Sequence, residues 1–273
     1  MANYAEFKET IWAKAIELAI KKRCVLEAGC NTQYQGEVGL GKRVKVLGVA
    51  RPTVSTYTPG TDINSPEKPA DSYIYLDVDQ YKYVNYMVDS IEAAQSDADI
   101  MGALTEGAAD AITELRDAYV GGLAKDATQK SASLAISNEE DAAEAVDAAL
   151  VALWTKGVRN SDDIRIECSP WFYDVLTNRI IALSTNNTGI IANGEVGKYK
   201  GAHVIMSNGI HNDATDDYIM VRTKKAIAFA GGIHRVIPYE PEKQFGDAIK
   251  ILDTYGAKIA RQDEIYVIKA HEA

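Results

Sequence analysis

Apolar residues recur along this chain with several distinct periods, and the changes of period mark its elements. Between Tyr4 and Leu26, Phe7, Ile11, Trp12, Ala15, Leu18 and Ala19 fall three and four apart, with Ile16 and Ile20 widening the face; this predicts an amphipathic helix. Gly29 through Gly41 is rich in breakers and reads as a loop. Arg43–Val49 alternates, Val44 and Val46 against Lys45, and predicts a strand. Pro52, Pro59, Gly60, Pro66 and Pro69 then punctuate a long open loop. Tyr73–Val88 returns as strand, with Ile74, Leu76 and Val78 on one side and Tyr73, Tyr75 and Asp77 on the other. Two extended arms joined by a long tip bury little alone, and an isolated two-stranded ribbon is marginal in water. The ribbon is therefore expected to lean on another copy of the chain.

The longest helical pattern is Ser96–Lys125, where Ile100, Leu104, Ala108, Ala111, Leu115 and Tyr119 trace one stripe. Ser96, Asp97 and Asp99 suit its cap and first turn, and Gly121-Gly122 its stop. Such a helix is roughly 40 Å long. A second helix is punctuated clearly: Asn138 caps it, Glu139, Glu140 and Asp141 fill its first turn, and Lys156-Gly157 ends it. Ala142, Val146, Ala149, Leu150 and Leu153 are its expected buried face. Ile164–Cys168 reads as a short strand, and Ser169-Pro170 opens a helix to about Asn178. Thr185–Gly194 is a polar loop. Strands are then expected at Ala202–Asn208, Lys224–Ala230, Val236–Tyr239, Asp247–Tyr255 and Glu264–Ile268. Strands before and after the longest helix are expected to pair, which gives two domains, the first discontinuous. No internal repeat is visible.

Composition narrows the class. The 273 residues are 47% hydrophobic and 25% charged, an ordinary globular balance with room for one large or two medium domains. No stretch approaches the roughly 20 apolar residues of a membrane span. The first residues carry acids and no long apolar run, unlike a signal peptide. Cys24, Cys30 and Cys168, odd in number and sparse, fit a reducing compartment and buried thiols. A net charge of -10 argues against a nucleic-acid binder. Its distribution is uneven: residues 1–51 hold nine Lys and Arg against five acids, and residues 89–147 hold three against fourteen. That asymmetry suits attraction between copies, and it equally suits two solvated helix faces.

Catalytic patterns are weak. Gly36, Gly41 and Lys42 have the spacing of a phosphate loop, but Arg43 stands where Ser or Thr would hold magnesium, and a strand follows instead of a helix. A turn before a strand is the plainer reading. His203, His211, His234 and His271 lack metal-helix spacing, and Cys24 and Cys30 lack the Cys-x-x-Cys of zinc sites. Asp213, Asp216 and Asp217 beside Asn212 supply the oxygen ligands of a conceivable calcium site, or of a solvated turn. The sequence thus points to no catalytic residue, cofactor or metal. Tyrosine is more telling, with fifteen Tyr against four Phe. Tyr suits surfaces that become half-buried, being apolar in body and polar at its tip. Tyr57, Tyr73, Tyr75, Tyr81, Tyr83 and Tyr86 cluster in or beside the ribbon, where strand propensity also favours aromatics.

The order of these pieces resembles the major capsid proteins of tailed bacteriophages, the Hong Kong ninety-seven type of fold. The likeness covers nearly the whole chain: the glycine-rich turn into Arg43–Val46, the long loop, Tyr81–Asp89, and Ala93-Ala94-Gln95-Ser96-Asp97 running into the long helix. Gly194–Asn208 and Phe229–Ile233 are the pieces most similar to the family's recurrent pattern. The resemblance implies an α+β fold with an N-terminal arm (1–42), an extended β loop with peripheral-domain strands (43–89), a spine helix (90–132), an α/β axial domain (133–240) and a C-terminal return to the peripheral domain (241–273). It implies a subunit that self-assembles as pentamers and hexamers into an icosahedral shell around double-stranded DNA, without sequence-specific binding. Inter-subunit contacts are then expected at Tyr57, Pro59, Tyr73, Tyr75, Tyr81 and Tyr83. The implied partners are a separate scaffolding protein or none, with portal and decoration proteins, and no membrane. The implied location is the virion capsid, assembled in the host cytoplasm. Some relatives join subunits by a Lys–Asn isopeptide bond, for which Lys68 with Asn208 or Asn212 are the candidates. Two alternatives remain: an encapsulin-like shell around protein cargo, and an α+β enzyme binding a nucleotide at Gly36–Lys42.

Overall fold

The computed structural model describes residues 24–33, 43–49, 54–60, 62, 65, 71–89, 100–182, 197–243 and 245–273. The expected helix over 4–26 and the Gly36–Lys42 loop lie outside these, except that Cys24–Leu26 are described and are not helical. They lead into a short 3-10 turn at Glu27–Gly29.

Strands β1 (Arg43–Val49) and β2 (Asp71–Asp77) form an antiparallel hairpin, with Arg43 opposite Asp77 and Val49 opposite Asp71. The strand expected over Tyr73–Val88 is broken at Val78-Asp79. Beyond the break, β3 (Gln80–Asp89) joins a different sheet, because Val78 turns into the core behind β2.

Helix α1 (Ile100–Gly122) follows, roughly 35 Å long at 1.5 Å per residue. Its buried face is not the expected stripe. Ala108, Ala109, Ile112, Thr113, Arg116, Asp117 and Val120 are buried, whereas Leu104, Ala111 and Leu115 are exposed. The reason is electrostatic. Arg116 and Asp117 have partners inside the protein, so the helix turns two charges inward and leaves two leucines out.

After α1, the chain forms β4 (Lys130–Ile136), helix α2 (Glu139–Thr155), β5 (Ile164–Cys168), helix α3 (Pro170–Ala182), β6 (Lys198–Tyr199), β7 (Ala202–Met206) and β8 (Asp217–Thr223). It ends with β9 (Ile227–Tyr239), β10 (Gly246–Ile259) and β11 (Ile265–Glu272). Asn138 caps α2 as expected: its side-chain oxygen accepts the N–H groups of Glu140 and Asp141, each at 2.9 Å. Gly157 takes the left-handed conformation (φ 98°) just past the helix end.

Six strands make a mixed sheet in the order β4-β11-β8-β5-β7-β6. β5 and β7 run parallel, with α3 between them in sequence. Ala142, Val146, Ala149, Leu150 and Leu153 of α2 pack with Phe172, Leu176 and Ile180 of α3 over Ile166, Ile219, Val221 and Ile268. The other face, with Met220, Ile265 and Val267, meets Val120 of α1 and Phe229, Tyr255 and Ile259. Strand β8 is thus covered on both sides and buried along its whole length. It lacks the alternation that reveals a half-buried strand and starts at an acid of the expected turn, so no period of two marks it as a strand; β4, exposed or half-buried up to its last residue and rich in Ser and Ala, is likewise unmarked.

The remaining sheet has the order β3-β10-β9, all antiparallel. β3 precedes α1 and β10 follows it by more than a hundred residues, so strands on either side of the helix do pair. Lys224–Ala226 is a turn, and the two strands expected over 224–239 are one, β9. Gly231 lets that strand pass: a Cβ there would lie 2.4 Å from the Cβ of Tyr255. Val236, Ile249 and Ile251 bury one face of this sheet against Ala108, Ala109 and Ile112 of α1.

Candidate assembly surface

The hairpin has two unlike faces. Val44, Val46, Leu76 and Val78 point inward onto Ala228 and Ala230 of β9. Lys258 Nζ donates to the carbonyl of Tyr75 at 3.1 Å. Gly256 permits the approach, since a Cβ there would lie 2.1 Å from the Asp77 carbonyl oxygen. The expectation that the ribbon rests on another copy is therefore corrected for its root. Long β9 and β10 outrun β3 and offer the root a platform within the same chain.

The outward face is uncovered. Arg43, Lys45, Tyr73, Tyr75 and Asp77 are all exposed there. Arg43 Nε meets Asp77 at 2.5 Å, and its guanidinium lies 5.0 Å from the Tyr75 ring. Lys45 Nζ is 4.2 Å from the Tyr73 ring, and the two rings meet edge to face at 5.2 Å. This is a basic, aromatic surface whose side chains touch one another. Beyond it every described residue of 54–60 is exposed, including Pro59, Tyr57 at 63% and Val54 at 95%.

The β2–β3 corner is pinned to α1. Tyr119 donates to Asp79 Oδ1 at 3.0 Å, and burial together with that carboxylate pushes the phenol up to about 12. Past the corner, Tyr81 donates to the Val78 carbonyl and stays exposed, and Tyr83 is 80% exposed. Tyr83, Arg235, Ile237, Lys250 and Leu252 line a shallow trough of about 390 Å³ on the open face of the three-stranded sheet. Tyr86 differs from its neighbours: it faces α1, where its hydroxyl bonds Thr105 at 2.9 Å. On α1 itself, Leu104 and Leu115 are exposed along one edge of the open face and Glu106, Asp110 and Glu114 along the other. The open helix face is thus acidic and apolar, the complement of the hairpin's.

The six residues singled out in the sequence, Tyr57, Pro59, Tyr73, Tyr75, Tyr81 and Tyr83, are all exposed, and Tyr73 with Tyr75 touch. Of the trough's residues, Ile237 and Lys250 fall in expected strands and Arg235 just before one, but strand alternation alone does not show that β9 and β10 lie side by side.

The chemical candidates disperse. Burial raises all three thiols, Cys30 to about 11 and Cys168 to about 12, which keeps them protonated and poor ligands. Asp213 accepts the N–H groups of Thr215 and Asp216 and the Tyr218 hydroxyl, and these hold its carboxyl down at about 2. Asp216 bonds Ser133 and His271, and Asp217 bonds Trp171 and Asn212. The three acids face different partners instead of one centre, and among the described residues no three His, Cys, Asp or Glu converge as metal ligands. The Ser133–Asp216–His271 cluster is no hydrolytic triad, because one imidazole nitrogen, Nδ1, faces both partners. Asn208 is exposed, and Lys68 lies outside the described residues.

No family model and no curated protein matches the chain. Solved structures do. A structure of Mycobacterium phage Che8 superposes at a TM-score of 0.74 with 24% identity, over 90% of this chain and 91% of that one. The capsid of cyanophage P-SCSP1u gives 0.73 at 15% identity, over 92% and 89%. A virus-like particle from Pyrococcus furiosus gives 0.58 at 13%, over 96% and 99%. Its helices and mixed sheets are arranged as in these structures, so the chain has the α+β fold of phage capsid structures, the Hong Kong ninety-seven type.

Proposed function

We propose that this chain is the major coat subunit of a tailed bacteriophage, assembling with its own copies in rings of five and six into an icosahedral shell around double-stranded DNA. The observation that carries the reading is the phage match over nine-tenths of both chains at TM-scores of 0.74 and 0.73. The uncovered surfaces support it. Cations and tyrosines crowd the outer hairpin face, acids and leucines the open face of α1, and the two are complementary in charge. On this reading the hairpin of one copy overlies α1 of the next, with Tyr57, Pro59, Tyr73, Tyr75, Tyr81 and Tyr83 in or beside the contact. The six-stranded sheet with α2 and α3, drawn mostly from the expected span 133–240, forms an axial domain that meets its copies at ring centres. β9 and β10 lie with β3 in the peripheral part, and within 241–273 it is β10 that returns there while β11 rejoins the six-stranded sheet. Net negative charge keeps DNA from adhering to the wall. A scaffolding protein, portal and decoration proteins complete the particle, which is built in the host cytoplasm.

A shell around protein cargo is the second reading, favoured by the near-complete coverage of the Pyrococcus furiosus particle. Its TM-score of 0.58 falls below those of the phage structures. The contents of particles isolated from their native source decide. Nuclease-protected double-stranded DNA supports the coat reading, and a stoichiometric co-purifying protein without DNA contradicts it. Nucleotide titration with Lys42→Ala as control tests for an enzyme: saturable binding lost in the variant contradicts a purely architectural role.

A further inference from the structure

The segment Val25–Asn31 makes one short turn of its own and otherwise bonds to distant parts of the chain. Asp117 of α1 accepts three of its backbone N–H groups, Val25 at 2.9 Å and Leu26 and Glu27 at 3.1 Å. Glu27 receives Arg116 Nη1 at 3.1 Å, and Arg116 also clamps Asp253 of β10 through Nε at 2.9 Å and Nη2 at 2.5 Å. On the other side stands Arg222 of β8. It clamps Glu167 of β5 with two bonds of 2.8 Å and donates to the carbonyls of Gly29 at 2.5 Å and Leu26 at 2.9 Å. Arg165 of β5 donates to the Val25 carbonyl at 3.1 Å. Asn31 then exchanges backbone bonds with Ile227 and Phe229 of β9. One seven-residue strap is thus bonded to both sheets and to the helix between them. The Arg116 and Arg222 side chains are 1% and 0% exposed.

We propose that Val25–Asn31 is a releasable tie that holds the three-stranded and six-stranded sheets in one relative position, and that its withdrawal is a conformational step built into this fold. The charges in its seat are arranged for release. When the strap leaves, Arg222 keeps Glu167 and Arg116 keeps Asp253, so neither buried cation is orphaned. Glu27 departs with the strap into water. The loss concentrates on Asp117, which gives up three donors. Apolar anchoring within the strap rests on Leu26 and Cys30. The seat is also shaped for a residue without a side chain, since a Cβ on Gly29 would lie 2.7 Å from Glu167 Oε1 and 2.9 Å from the Arg165 guanidinium. The tie does not depend on the coat-subunit reading.

The test uses the full, unassembled chain carrying spin labels on β3 and β4 through Tyr83→Cys and Ala132→Cys, both at exposed positions; the native thiols are buried. Gly29→Ala crowds the seat without changing a charge, and Asp117→Asn weakens the acceptor while keeping its shape. The parent should give one narrow interlabel distance. Each variant should broaden it or add a second population, while backbone amides of 25–31 exchange with solvent at least tenfold faster and those of β5, β8 and β10 keep their protection. An unchanged distance with a released strap overturns the proposal, as do strap and strands accelerating by the same factor. If neither variant folds, amide exchange of the unmutated chain in graded denaturant decides. A strap that opens below the transition of the strands supports the tie, and one that opens only with them refutes it.

Discussion

At Gly256 one missing methyl group decides how the hairpin sits. Gly256→Val forces a Cβ towards the Asp77 carbonyl, so the root must lift from β9 and β10. Overpacking of this kind typically costs about 1–3 kcal/mol. The expected outcome is a folded subunit with a lower melting temperature and a hairpin hypersensitive to protease; melting with wild-type midpoint contradicts the seating. Asp213 gives a pH signature. Its carboxyl is held at about 2, below the ordinary aspartate value near 4, by two N–H groups and a hydroxyl. A depressed acid contributes stability that is present above its unfolded value and lost as pH falls through the folded one. Asp213→Asn should therefore melt below wild type at pH 6, with the gap closing between about pH 4 and pH 2. A gap that does not change with pH would mean the charge is idle. On the outward face, Tyr73→Ser with Tyr75→Ser should leave melting nearly unchanged, because both rings are exposed, while particle yield falls.

Among the elements, the hairpin separates into a docked root and an exposed remainder. Deleting Thr53–Ala70 removes none of Val44, Val46, Leu76 or Val78, so a cooperatively melting monomer that forms no particles is expected. Loss of the monomer fold would show that the tip holds the root down. Helix α2 was legible to the residue, since its cap, first-turn acids and glycine stop are local chemistry; Asn138→Ala should cost about 1 kcal/mol in thermal or urea unfolding. The hairpin strands were legible for the same reason, their alternation surviving one-sided burial. What failed was burial set by distant partners. The stripe chosen on α1 followed hydrophobicity, while the helix buries Arg116 and Asp117 against Asp253 and the 25–27 backbone. Strand β8 hides because both its faces are covered and a buried arginine, Arg222, stands next to its end. A lone arginine in a strand reads as surface until its carboxylate, far along the chain, is known. The exposed tyrosines of the candidate surface were readable from composition, and the trough beside them was not, because it exists only where β3, β10 and β9, far apart in the chain, lie side by side.

For the whole molecule, three features coincide: a phage capsid fold, a basic aromatic face on the hairpin, and an acidic, leucine-bearing face on α1. Opposite charges on separate faces of one molecule favour head-to-neighbour contacts, which repeat instead of stopping at a pair and close into a ring where the rotation between copies allows. Screening shortens from about 10 Å at 0.1 M salt to about 3 Å at 1 M, so light scattering should show assembly slowing as salt rises. Acceleration by salt would assign the drive to apolar burial instead. The most direct test of the architectural claim is electron microscopy of the purified chain at rising concentration. The account predicts closed shells with five- and six-fold rings, in which the hairpin of one subunit crosses α1 of its neighbour. A single monomeric species at every concentration, with the hairpin tip folded onto its own chain, would contradict it.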